Sequence, residues 1–255
     1  EFFNTHHGGT IPLGVLQSVV PGALDAWVTA LERFGTMSFA DVSAEATRLA
    51  RDGFVMYPLM AERIEHFSKN TRKWPSNAEI YLPGGEAPQP GDLFVQSDLG
   101  RTLQFLADEE GAHSGKGRAA GLDAVRHAFY QGDIAASIIR HQSENGGLMT
   151  AEDLAGFRVE IEPSLWTRFH DTVVHECGPW CQGPMLLQAL NLVEGIDLRG
   201  LGHNSAAYIH TLVEAIKLAA ADRDAYYGDP RFVDVPMEAL LSKDYAAGRQ
   251  AMIRP

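Results

Sequence analysis

The 255 residues amount to 27.9 kDa, and area scaling for a compact monomer gives a folded surface of roughly 11,000 Å² against about 40,000 Å² unfolded, enough burial for one large domain. Hydrophobic residues at 45% and charged residues at 21% exclude wholesale disorder, collagen-like repetition and a disulfide-dense miniprotein, and no run approaches the roughly 18 apolar residues of a membrane span. A net charge of −12 with no offsetting basic patch argues against nucleic acid or an anionic membrane as partner.

The chain opens Glu1-Phe2-Phe3-Asn4-Thr5, with no Met and no signal-peptide pattern, and so reads as a piece of something longer. After Pro21, Leu24, Trp27, Val28 and Leu31 fall at i, i+3, i+4 and i+7 and halt at Gly35, which predicts an amphipathic helix with a glycine stop. Ser38 with Asp41 forms a capping box for a second helix that ends at Gly53, and a third covers about Tyr57 to Lys69. Four prolines and three glycines between Trp74 and Gly91 predict a loop, with a short strand at Glu79 to Leu82. Helical periodicity resumes over Asp98 to Glu109, gives way to a flexible loop at Gly111 to Gly117, and returns over Asp133 to Glu144. Thr150 and Asp153 then cap a one- or two-turn helix.

Between Phe157 and Glu176 apolar and polar residues alternate and β-branched residues gather, which predicts the one strand pair of the chain. Helices follow at Pro184 to Glu194, at Ser205 to Tyr226 with Ile209, Leu212, Ile216 and Ala219 on its buried stripe, and at Ser242 to Ile253. The fold class is α+β with helices dominant. A lone hairpin has two open edges that need strands from elsewhere, so the fold looks incomplete by itself.

Several motifs imitate known chemistry. Cys177-Gly178-Pro179-Trp180-Cys181 has C-x₃-C spacing where a thioredoxin-like dithiol has C-x₂-C, and no βαβ pattern precedes it. With His175 the pair offers three soft ligands, one short of a structural zinc site. The plainer reading makes Cys177 a small buried residue at a strand end and Gly178 to Pro184 a tight turn into a helix with Pro184 in its first turn, so neither cysteine is expected to be catalytic or to ligate metal. Gly111 to Lys116 falls one residue short of a phosphate loop and lacks its Ser or Thr. His203 and His210, seven residues apart, read as helix-capping or core residues, and the polar cluster from Asp222 to Pro230 as ion pairs fixing a helix end. No metal and no cofactor are expected.

Eight segments, in order, resemble the large subunit of γ-glutamyltransferases: Ser18 to Gly22, the stretch from Leu24 to Val42, Arg48 to Phe54, Phe129 to Asp133, Gly146 to Leu154, Gln182 to Gly195, Gly202 to Ser205, and Ala221 to Pro236. The resemblance runs from about Leu13 to Ile253. It implies an N-terminal-nucleophile hydrolase, an αββα sandwich made as one precursor that cuts itself before a Thr and is completed by a second, small subunit. Residues 1–255 would then be a single-domain fragment, most of the large subunit, with its N-terminal part and the nucleophile-bearing small subunit absent and no catalytic residue in this chain. The implied reaction passes a γ-glutamyl acyl group, from an amide such as glutathione, to the Thr and then to water or an amine. A terminal α-amine with pKa near 8 is a competent base for that hydroxyl.

The family's carboxylate-gripping Arg lies before the Val-Pro-Gly motif, and no residue here takes its role. Trp180, Gln182 and Gly183 are the substrate-binding candidates, on a helix opening expected to face the seam between the two pieces, where its N–H groups suit a carboxylate or oxyanion. A flexible tail is expected beyond Pro255, and residues 1–255 alone are expected to be inactive and aggregation-prone. Three alternatives stand beside this reading: a related amidase such as a cephalosporin or glutaryl acylase or a dicarboxylic monoamide hydrolase, a noncatalytic helical binding module, and a redox module using Cys177 and Cys181. Cytoplasm and periplasm are both compatible with the sequence.

Overall fold

The computed structural model describes residues 2–253. Glu1 and Pro255, on which the expectations about the chain's start and tail rest, lie outside the described residues. Contacts gather into two compact units, Glu1–Val159 and Glu160–Pro255.

The first unit is helical, with α1 (Phe2–His7), α2 (Ala23–Phe34) and α3 (Phe39–Asp52), then β1 (Phe54–Val55), α4 (Pro58–Thr71), α5 (Pro75–Tyr81) and β2 (Leu93–Phe94), and finally α6 (Ser97–His113), α7 (Arg118–Tyr130), α8 (Asp133–Glu144) and α9 (Ala151–Gly156). The boundary residues at Gly35, Ser38 and Gly53 end and start helices as expected, and the Ser38–Asp41 and Thr150–Asp153 capping boxes are both complete. Hydrogen bonds from Ser38 and from Thr150 hold the Asp41 and Asp153 carboxyls below their usual range.

Four expectations are corrected. Residues 79–82 are not a strand: Pro75 in a first helical turn starts α5, and Glu79 to Tyr81 belong to it. The hairpin is not the sole strand pair, because Phe54 pairs with Phe94 and Val55 with Leu93 in an antiparallel two-residue ladder. Residues 111–117 are not a flexible loop, since α6 continues to His113 and a 3₁₀ turn follows at Ser114–Lys116. On α2, Leu24 and Val28 are buried, but Trp27 points out and Asp25 is buried instead.

The core of this unit comprises Leu24, Val28, Phe39, Leu106, Leu122, Val125, Tyr130 and Leu154. Gly100 lets α6 run close against α3, because a Cβ there would sit 3.1 Å from the Arg51 nitrogen. Two helix ends of this unit are satisfied by side-chain charges that complement the helix dipole. Glu110 accepts the Phe39 and Ala40 N–H groups at the start of α3, each at 2.8 Å, while Arg118 donates to the Leu31 and Gly35 carbonyls at the end of α2. Asp25 accepts from Arg126 Nε at 2.5 Å and from the Val159 N–H at 2.7 Å, so its burial is compensated on both oxygens.

The second unit carries the hairpin β3 (Leu165–Phe169) and β4 (Thr172–Glu176), followed by α10 (Gly183–Val193), α11 (Ala206–Tyr226), α12 (Met237–Leu240) and α13 (Lys243–Gln250). The hairpin is shorter than the alternation predicts: Pro163 precedes it, and residues 157–164 make no strand. Leu165 pairs with Glu176 and Phe169 with Thr172 around a two-residue turn in which His170 has φ 51°. Buried Asn191 ties the unit together, accepting from Thr167 Oγ1 at 2.6 Å and Lys243 Nζ at 2.7 Å and donating to the Leu241 carbonyl at 2.9 Å. Leu192, Val193, Ala215 and Ala219 form the apolar core between α10 and α11. The buried face of α11 is therefore Thr211, Ala215, Ala219 and Asp222; of the expected stripe only Ala219 is fully buried, and Ile209 and Ile216 are exposed.

Candidate functional site

The three candidate residues sit together where β4 leads into α10. The turn from Gly178 to Cys181 is closed by the Cys181 N–H donating to the Gly178 carbonyl at 3.3 Å. Trp180 points outward, 57% exposed, and its indole Nε1 donates to Glu162 Oε1 at 2.6 Å; the Gly178 N–H reaches the same oxygen at 3.3 Å. Gln182 is the N-cap of α10 and makes no side-chain cap. Its Oε1 instead accepts from Arg223 of α11 at 3.2 Å, and Arg223 also forks onto Asp224. Gly183 is required sterically, since a Cβ there would lie 2.9 Å from the Glu176 Cβ and 3.0 Å from the Cys177 carbonyl oxygen.

The α10 opening is a poorer anion cradle than a generic helix start. Pro184 has no N–H, and the Met185 N–H is already bonded to the Gln182 carbonyl at 3.1 Å. Within this turn the Gly183 N–H acts on the Cys177 sulfur, favouring its thiolate, but the neighbouring Cys181 thiol and burial outweigh it and raise the Cys177 thiol above its usual value. Beside the turn, Pro179 and residues Pro230, Phe232 to Val235 and Met237 line an open concavity of about 460 Å³. A separate cleft of about 580 Å³ in the first unit, walled by Pro12 to Ser18, Trp74 and His141, contains none of the predicted site residues.

Behind the turn, a polar network fixes α10. Asp222 accepts from Gln188 Nε2 at 2.9 Å, Tyr245 OH at 3.0 Å and Arg249 at 3.1 Å, while Tyr227 OH donates to Gln188 Oε1 at 2.5 Å. Burial and the Asp222 charge push the Tyr227 phenol far above its usual value and that of Tyr245 in the same direction, so both remain donors at neutral pH.

Sequence reasoning missed Glu162 and Arg223 as the holders of Trp180 and Gln182. The ion-pair reading of the helix end does hold for Arg223 with Asp224 and for Arg231 with Asp229. The histidines are not core residues: His203 precedes α11, exposed, with its ring edge-on to Tyr208, and His210 is exposed on α11. His175 faces Ser164 Oγ at 2.9 Å through Nδ1. Among the described residues no group of three or more His, Cys, Asp or Glu is arranged to hold a metal ion, and no helix is long and apolar enough to cross a membrane.

The family model for gamma-glutamyltranspeptidase matches residues 1–255. Over 241 residues the chain is 37% identical to a glutathione hydrolase-like YwrD proenzyme of Bacillus subtilis (strain 168), covering 92% of this chain and 42% of that protein. It is 36% identical over 242 residues to an acylase ACY 1 proenzyme of Pseudomonas sp. (strain SE83), covering 94% and 41%. The crystal structure of Helicobacter pylori gamma-glutamyltranspeptidase matches with a TM-score of 0.83 at 31% identity, over 95% of this chain and 66% of that one. The chain thus spans about two fifths of the length of the curated relatives it matches. Its helices and hairpin are the α+β layers of an N-terminal-nucleophile hydrolase fold. With the motif order, the matched length and the matched architecture in agreement, the chain belongs to the gamma-glutamyltranspeptidase family.

Proposed function

We propose that residues 1–255 are most of the large subunit of a γ-glutamyltransferase that hydrolyses glutathione or passes its γ-glutamyl group to an amine. The observation that carries this is near-complete alignment, at 37% identity, with a glutathione hydrolase-like proenzyme more than twice its length. The nucleophile is the Thr hydroxyl at the start of a small subunit cut from the same precursor. Its α-amine takes the proton as Oγ attacks the γ-carbonyl, the leaving amine departs protonated, and water or a second amine then attacks the ester. Trp180, Gln182 and Gly183 line one wall of the acyl pocket, and Arg223 and Glu162 hold the first two of them in place.

The exposed surface supports a missing partner. The chain exposes 16,042 Å², whereas two separate compact globules of the units' lengths would together expose roughly 13,000 Å². Large apolar side chains contribute to it: Ile209, Val213 and Ile216 form an exposed stripe on α11, and Trp166 and Phe232 are also exposed. A small subunit that adds strands to β3 and β4 and covers these faces accounts for both.

The test is the full-length precursor and its nucleophile Thr→Ala variant, assayed for self-cleavage and against glutathione, a γ-glutamyl anilide and a glutaryl amide. Self-cleavage with turnover of the two γ-glutamyl amides, both lost in the variant, is expected. Turnover of the glutaryl amide alone would replace this reading with the acylase one, whose support is the 36% identity to an acylase proenzyme. An uncleaved precursor active on none of the three would refute both.

A further inference from the structure

We propose that Cys177 and Cys181 are a redox-active pair that closes to an intramolecular disulfide, a covalent clasp across the turn that opens α10. The pair is not used by the acyl-transfer chemistry, and the inference does not depend on it. The two sulfurs lie 2.7 Å apart, well inside the separation of two non-bonded sulfur atoms and not far beyond the roughly 2.05 Å of a disulfide bond.

Spacing alone argues against such a bond, because a loop of four residues is tight. The local structure removes that objection. Gly178 occupies a place where a Cβ would come within 3.1 Å of both Glu162 Oε1 and the Trp180 ring, and Pro179 fixes its own φ. The Cys181 N–H closes the turn onto the Gly178 carbonyl. From outside, Glu162 grips the turn through the Trp180 indole and the Gly178 N–H. The backbone is thus already folded so that the sulfurs meet, and bond formation needs side-chain adjustment without a change of turn. Both cysteines are free and only partly buried, so their sulfurs are open to solvent in part, and the Cys177 thiol donates to Glu176 Oε2 at 3.9 Å. A small disulfide can therefore reach the pair.

The oxidant is a low-molecular-weight disulfide of the glutathione type. One cysteine thiolate attacks a sulfur of that disulfide, breaking its S–S bond, forming a mixed disulfide and releasing one small thiolate. The second cysteine thiolate then attacks the protein sulfur of the mixed disulfide and expels the other small thiolate. The two cysteines lose two electrons and two protons, and the small disulfide becomes two thiols. The closed form fixes the turn from Gly178 to Cys181, which carries Trp180 and leads into Gln182; the open form leaves it held by hydrogen bonds alone.

The experiment equilibrates the full-length protein, its proposed nucleophile Thr replaced by Ala so that the buffer is not consumed, with oxidised or reduced glutathione, quenches with acid, alkylates free thiols, and maps the tryptic peptide from Phe169 to Arg199, which contains both cysteines. After oxidation that peptide is expected to lose both alkylatable thiols, to weigh two hydrogen atoms less than its reduced form, and to carry no glutathione. Reduction should restore both thiols. In the Cys177→Ser and Cys181→Ser variants the remaining cysteine has no resolving partner and is expected to retain one glutathione. Stable glutathione on the wild-type peptide, or two alkylatable thiols surviving an excess of oxidised glutathione, would overturn the proposal. The wild-type readout stands even where a variant fails to fold.

Discussion

Asp222 holds α10 from behind, and replacing it with Ala isolates the strength of that support. The carboxylate is buried and receives three donors, from Gln188, Tyr245 and Arg249, at 2.9, 3.0 and 3.1 Å. Alanine strands all three. Leaving one partner of a buried ion pair uncompensated costs about 3–5 kcal/mol. Here Arg249 retains 22% side-chain exposure and a hydrogen bond to the Leu218 carbonyl at 3.0 Å, which places the expected loss at the low end, about 3 kcal/mol. Tyr245→Phe removes one of the three bonds and should cost about 1 kcal/mol. Urea unfolding of the full-length protein reads both, as a shift in midpoint at unchanged slope. If Asp222→Ala lay within about 0.5 kcal/mol of wild type, or cost less than Tyr245→Phe, the network would not be the restraint on α10 described above. In the proposed acyl pocket a loosened α10 should also weaken substrate binding, since Gln188 lies on the helix that Gln182 caps and Gly183 begins.

Glu110→Ala should cost about 1–2 kcal/mol, because it strips the acceptor from two N–H groups at the start of α3, whereas Glu110→Gln keeps one acceptor oxygen and should cost less; denaturant midpoints compare the two. Lys243 donates to Glu194 at 2.6 Å and holds that carboxyl below its usual value of 4.5. A carboxyl lowered on folding contributes stability that is fully present above its unfolded value and is lost as the pH falls through its folded value. Lys243→Met should therefore flatten the acid limb of stability against pH, on top of a pH-independent offset from its lost bonds to Arg168 and Asn191. Midpoints measured from neutral to acid pH would contradict this if variant and wild type ran parallel.

What could be read from sequence and what could not divides by the range of the interaction. Ser38 with Asp41 and Thr150 with Asp153 were legible because a capping box is complete within four residues. The β1–β2 ladder was not, since two-residue strands become strands only by pairing with a segment some forty positions away. The long extension of α6 was hidden by Gly111 and His113, whose polar, small character matches a loop though both lie in helix. The candidate site shows the same division. Trp180, Gln182 and Gly183 lie within four residues of one another, the latter two in a segment that carries the family resemblance, while the holders Glu162 and Arg223 stand 18 and 41 positions from Trp180 and Gln182, with no local signal.

Helix α11 shows why periodicity alone picks the wrong face. Ile209, Leu212, Ile216 and Ala219 satisfy helical spacing, and so do Thr211, Ala215, Ala219 and Asp222. A hydrophobic pattern ranks the first set higher because its side chains are larger. Packing against α10 selects the second, since Ala215 and Ala219 let the two backbones approach while Asp222 reaches Gln188 across the gap. Ile209 and Ile216 of the larger stripe are then left exposed, with Val213 between them, a contiguous apolar strip of the kind that marks an interaction surface. In the proposed two-subunit protein that stripe is a face the small subunit covers. Under that proposal Ile209, Val213 and Ile216 are the α11 positions where a polar substitution should impair subunit assembly while leaving the α10–α11 contact intact.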